Sequence, residues 1–172
     1  MFRRRAKAQP AQGTPPAPAE VFQGLRSLVL SLDPDEIGMG PATGSSGAWG
    51  CVVETGYPHG TASLVCLRDG TTSLYTSSGF GIIGGGGHDA VRHENARLLA
   101  VLGEHLPEMT PSTDQSLPLE GRTVIRALTT DGPRLFEESE RVLGEGRSAL
   151  SPVFHAAQAV ITQLRLIEQQ GR

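Results

Sequence analysis

The run Gly79-Phe80-Gly81-Ile82-Ile83-Gly84 fits the spacing G-x-G-x-x-G, and Gly85, Gly86, Gly87 and His88 carry it on to a predicted helix start. Glycines at this spacing let the backbone come close to an anion, and the free N–H groups of a helix N-terminus point at it. Gly79, Gly81, Gly84, Gly85, Gly86, Gly87 and His88 are therefore candidate contacts for a small anionic ligand or for a protein partner. A dinucleotide fingerprint also needs a parallel βαβ unit, whereas the strand before this run closes an antiparallel meander. No lysine occupies the G-K-[ST] position of a phosphate-binding P-loop. The expectation is a structural or partner-contacting glycine turn, with a small anion- or nucleotide-binding sensor or enzyme as the alternative.

A second constellation lies in Glu54-Thr55-Gly56-Tyr57-Pro58-His59-Gly60, which puts an acid, a phenol and an imidazole at one hairpin end. Glu54, Tyr57 and His59 are candidate partner contacts, since an aromatic near an exposed turn makes a good interface anchor. Other chemistry is thinner. His88 and His93 are five apart, so a helix cannot present both on one face, and H-E-x-x-H is absent. No metal site is expected. G-x-S-x-G and C-x-x-C are absent too, and Cys51 and Cys66 read as reduced core thiols. No catalytic residue and no cofactor are assigned.

Of the 172 residues, 22 are Gly and 12 are Pro, about a fifth of the chain and well above the usual share. No apolar run reaches the roughly 18–20 residues of a membrane span. The net charge of −3 hides an asymmetry. Residues 1–19 carry Arg3, Arg4, Arg5 and Lys7 and no acid, whereas residues 20–172 carry 11 basic and 18 acidic residues. The acidic body is expected to repel nucleic acid, and the basic segment is expected to be what could dock on an acidic surface. No apolar signal core follows the basic residues, so a cytoplasmic protein is expected.

These candidates need elements to position them. Residues 1–18 read as a disordered, basic, Pro/Ala-rich leader, and 19–172 as a single domain. The pattern predicts a helix over 20–32, with a stripe of Val21, Phe22, Leu25, Leu28, Val29 and Leu32, ending at Asp33-Pro34. A glycine-rich loop follows at 38–48. Trp49–Glu54, Thr61–Arg68 and Thr71–Ser77 read as a three-stranded meander. Its first loop sets Gly56 opposite Thr61 and Cys51 opposite Cys66. Asp69-Gly70 reads as a two-residue turn, which sets Leu74 opposite Val65 and Tyr75 opposite Leu64. One face would then carry Cys51, Val53, Leu64, Cys66 and Tyr75, the other Val52, Val65, Leu67 and Leu74. Both are apolar, so both need cover from helices or a partner. A helix over 88–106, strands over 123–130 and 133–138, and a helix starting at Ser151-Pro152 complete the order.

Trp49, the stretch Glu54–Pro58, Leu74-Tyr75-Thr76-Ser77, the glycine run and Leu150-Ser151-Pro152-Val153-Phe154 resemble a family of actinobacterial proteins that carries no assigned function. The likeness covers most of residues 20–168 and implies an actinobacterial, cytoplasmic protein without supplying catalytic residues. The element order is also similar to profilin and roadblock domains, where helices flank an antiparallel five-stranded sheet. Roadblock-like proteins are dimerising, non-enzymatic partners of small GTPases, a likeness of topology only. The fold expected is thus α+β: a sheet of about five strands, built as a three-stranded meander, a helix, a two-stranded hairpin and a helix, with an N-terminal helix. The function expected is a non-catalytic protein–protein interaction, adaptor or regulatory module that self-associates as a homodimer.

Overall fold

Apolar side chains on both faces of a strand require cover on both sides, and the central strands of this protein have it. The computed structural model describes residues 15–38 and 47–171. Most of the expected leader, residues 1–14, and residues 39–46 of the glycine-rich loop lie outside the described residues. The elements are α1 (Pro18–Leu30), β1 (Ala48–Tyr57), β2 (Gly60–Leu67), β3 (Thr72–Thr76), β4 (Gly81–Ile82), α2 (Asp89–Glu104), β5 (Thr110–Pro111), β6 (Arg122–Thr129), β7 (Arg134–Ser139), α3 (Glu140–Gly144) and α4 (Ser151–Gln170). The seven strands form one antiparallel sheet in the order β4-β3-β2-β1-β6-β7-β5.

The α+β class therefore holds, but the strand count is seven rather than five. The two extra strands have two residues each and sit at the two sheet edges. Their pattern is too short to register as periodic alternation. The short helix α3 was likewise not anticipated.

Two cores lie on opposite sides of the sheet. Cys51, Val53, Leu64, Cys66, Leu74, Ile125 and Ala127 pack under α2 and α4. Trp49, Val52, Val65, Leu67, Tyr75 and Leu128 pack with Phe22 of α1. The Phe22 and Tyr75 rings meet edge-on with centroids 5.6 Å apart, a favoured aromatic geometry. The β1–β2 register is as expected, with Gly56 opposite Thr61 and Cys51 opposite Cys66.

The β2–β3 register is corrected by one residue: Leu64 faces Leu74, and Ser63 faces Tyr75. The loop has three residues, 68–70. The Leu67 N–H donates to the Thr71 carbonyl, and Gly70 adopts φ +94°. A three-residue loop ending in a left-handed glycine replaces the two-residue turn. Because side chains alternate along a strand, this slip exchanges Leu74 and Tyr75 between the two cores.

The stripe of α1 is also corrected. Val21 and Leu28 are exposed, whereas Phe22 and Arg26 are buried. The helix is turned so that Arg26, one turn beyond Phe22, faces the sheet. The reason is electrostatic and lies under the helix.

Candidate functional site

Glu54 stands on β1 beside Val52, on the α1 side of the sheet, and its side chain is fully buried. A buried carboxylate must be paired or it is strongly disfavoured. Arg26 of α1 donates to it twice, Nε to Oε1 at 2.8 Å and a guanidinium Nη2 to Oε2 at 3.0 Å. Arg126 of β6 donates to the same Oε2, and Ser63 Oγ donates to Oε1 at 2.8 Å. The two arginines then reach past Glu54 to the segment that crosses the sheet face. Arg26 Nη2 donates to the Gln115 carbonyl at 2.5 Å, and Arg126 Nη2 to the Ser116 carbonyl at 2.6 Å. One helix, three strands and a crossing strap are thus pinned around one carboxylate. Burial pulls the Arg126 guanidinium below its ordinary value, while Glu54 opposes that shift. This Arg–Glu–Arg cluster was not anticipated as a unit. Its members lie 28 and 72 residues apart in sequence. A charge on an apolar helix stripe and two charges at inward strand positions were the available signal.

The hairpin end is therefore divided. Tyr57 and His59 are exposed there, but Glu54 lies three residues back inside the α1 face. The Tyr57 hydroxyl donates to Glu140 Oε1 of α3 at 3.0 Å. Partial burial, together with the Glu140 carboxylate, pushes the phenol up to about 12.

The glycine run is shaped by close packing. Gly79 turns the chain at φ +104°, Gly81 sits in β4 and Gly84 turns it again at φ +81°. Gly85 and Gly86 then enter a single 3-10 turn. A Cβ on Gly85 would strike Leu164 of α4, and one on Gly86 would strike the Gly70 backbone carbonyl. These two glycines bring the loop against α4 and against the β2–β3 turn. Gly87 has open space around its Cβ position, and His88 is exposed at the α2 N-terminus. The Gly87 and His88 N–H groups donate to the carbonyls of Gly84 and Gly85. A hollow of about 290 Å³ beside Gly84, Gly86 and Gly87 is also lined by Asp69. An anion entering it would meet that carboxylate.

On the other side of the run lies an apolar groove of about 370 Å³ between α1 and the β4 edge. Val21, Leu25, Tyr75, Phe80 and Ile83 line it, and its lining holds no Asp, Glu, Lys, Arg or His. Ile83 is 67% exposed, and Val21 and Phe80 are exposed as well. The Thr76 N–H donates to the Phe80 carbonyl at 2.8 Å, and Ile82 pairs with Leu74. Alternation along an antiparallel ladder then turns the peptide groups of Gly81 and Ile83 outward, away from β3.

Cys51 and Cys66 are free, buried and directly opposed on the α2/α4 side. Burial pushes the Cys51 thiol up to about 12 and raises Cys66 as well. A thiol held protonated is a poor nucleophile. Among the described residues no group of three His, Cys, Asp or Glu is placed to hold a metal ion, and no helix is long and apolar enough to cross a membrane. In comparisons with known proteins, no protein-family model, no curated protein and no solved structure matches this chain.

Proposed function

We propose that this protein is a non-catalytic interaction module that associates with a second copy of itself through the β4 edge and the groove beside it. The observation that carries the reading is the pairing of outward Gly81 and Ile83 peptide groups with exposed Ile83, Phe80 and Val21. An open sheet edge is a template for another strand, and exposed apolar side chains beside it supply burial for the contact. Charge selects the same place. Residues 20–172 carry 18 acidic against 11 basic residues, so like net charge opposes contact between the bodies of two copies. The groove lining holds no acidic or basic side chain and can face itself without that penalty. An antiparallel β4–β4 contact across a two-fold axis is self-complementary, as a closed dimer requires. The topological likeness to roadblock domains, which dimerise and are non-enzymatic, points the same way. A cytoplasmic adaptor or regulator is the corresponding role.

Analytical ultracentrifugation tests the reading. The protein is expected to sediment as a dimer, and Ile83→Lys as a folded monomer with an unchanged circular dichroism spectrum. A wild-type protein that stays monomeric at the highest attainable concentration would overturn it. The small-anion alternative for residues 79–88 instead expects stabilisation by nucleotides or sugar phosphates in a thermal-shift panel.

A further inference from the structure

A trough at the opposite end of α1 supports a separate proposal. Its apolar floor includes Val29, Leu32, Trp49 and Leu128, and Asp33 and Asp35 stand among its lining residues. It runs on past Gly132 and Pro133 into a second hollow lined by Asp114 and Asp131. None of these four aspartates is in an ion pair among the described residues. The α1 C-terminus lies against the same trough and has no basic residue in its last turn, so the negative end of the helix dipole adds to the field. Trp49 supplies an independent sign of a ligand. It is 4% exposed, and its indole N–H finds no acceptor among the described residues. A buried donor left unpaired costs about 1–3 kcal/mol, which an arriving acceptor relieves.

A ligand for this trough must be cationic and spread out. The acids do not converge on one point, and no described cluster can chelate a metal. It must also bring a hydrogen-bond acceptor, as a peptide carbonyl does. The chain contains such a segment: Arg3, Arg4, Arg5 and Lys7 are four cations within five positions and have no acid nearby. We infer that the segment Arg3–Lys7 docks intramolecularly along the aspartate trough, with one of its backbone carbonyls accepting from the Trp49 indole. The reach suffices. The 13 residues of α1 span about 20 Å, and the chain from Lys7 to Pro15 can extend about 26 Å. Docked this way, the basic segment cancels much of the body's negative charge and withholds its arginines from other acidic surfaces.

Trp49 is the single tryptophan, so its indole N–H gives one resolved signal in a ¹H–¹⁵N spectrum of the full chain. At low salt the indole proton is expected downfield, in the hydrogen-bonded range. It is expected to move upfield in the variant Arg3→Ser/Arg4→Ser/Arg5→Ser/Lys7→Gln, and equally in Asp33→Asn/Asp131→Asn. Salt should move the wild-type signal toward the variants' position, since exposed charges are screened. Superimposable indole signals from the wild-type and the neutralised leader would overturn the proposal. A difference that disappears on dilution would overturn its intramolecular form. Amide signals of α2 and α4 report that each variant is folded.

Discussion

Glu54→Gln is the sharpest test of how the α1 layer is held. The substitution keeps the side-chain shape and removes the charge. Three guanidinium N–H groups and the Ser63 hydroxyl converge on the two carboxylate oxygens. In the variant one oxygen becomes an NH₂ that must face a guanidinium, and two buried cations lose the only buried anion among the described residues. Breaking a buried ion pair by removing one partner costs about 3–5 kcal/mol. A domain of this kind has about 5–15 kcal/mol in total, so about a fifth or more of its stability is at stake. At about 2–4 °C per kcal/mol for this chain length, the midpoint should fall by roughly 6–20 °C. Urea unfolding followed by circular dichroism and by Trp49 fluorescence should report the same loss. A matching control replaces all three charges, as Arg26→Met/Glu54→Leu/Arg126→Met. Apolar substitution of a complete buried triad is often neutral or stabilising, so this variant should recover most of the loss at the sheet face. It should still loosen the strap, whose Gln115 and Ser116 carbonyls lose their donors. A Glu54→Gln midpoint within about 1 kcal/mol of the wild type would refute the view that this carboxylate organises the layer.

Three further outcomes are expected. Gly86→Ala pushes a Cβ into the Gly70 backbone carbonyl and should cost about 1–3 kcal/mol, while Gly87→Ala, in open space, should stay within about 0.5 kcal/mol; equal effects in a denaturant titration would contradict the packing account of the glycine run. Cys51 and Cys66 should resist Ellman's reagent in the native protein and react on unfolding, and rapid native labelling would contradict their burial. Stability should also fall as pH rises from about 9 toward 12: the unfolded thiol ionises near 9 while Cys51 stays protonated to about 12, so the unfolded state loses the proton first. The slope is about 1.4 kcal/mol per pH unit for each such group, and it should flatten measurably in Cys51→Val.

The meander was legible because its signals are local. Alternation and a short hairpin loop were enough to set Cys51 against Cys66. The next hairpin failed by one residue because Asp69-Gly70 satisfies both a two-residue and a three-residue turn; Gly70 is left-handed in either, and what separates them is that Asp69 does not take the positive φ a two-residue primed turn needs. That error sent Tyr75 to the wrong core. Glu54 was read as part of a hairpin tip because β1 was ended at that residue; the strand runs on to Tyr57 and leaves Glu54 inside. Arg26, Glu54 and Arg126 each sit at inward positions of an apolar pattern, and what they bind there depends on contacts far apart in sequence. Asn95 escaped notice for the same reason. It is buried on α2 and donates to the Leu67 carbonyl and Thr72 Oγ1, tying the helix to the β2–β3 turn.

The neighbour of β1 on its second side is β6, so Cys51 pairs with Ala127 as well as with Cys66. On a ribosome adding about 5–20 residues per second, the partner for that second side emerges several seconds after the meander is complete. During that interval β1, which the folded protein buries along nearly its whole length, offers a bare edge of N–H and C=O groups to any extended chain nearby. Synthesis rate and chaperone supply should therefore govern the yield of this protein more than its final stability does, and slowing translation between residues 70 and 120 should lower the soluble fraction.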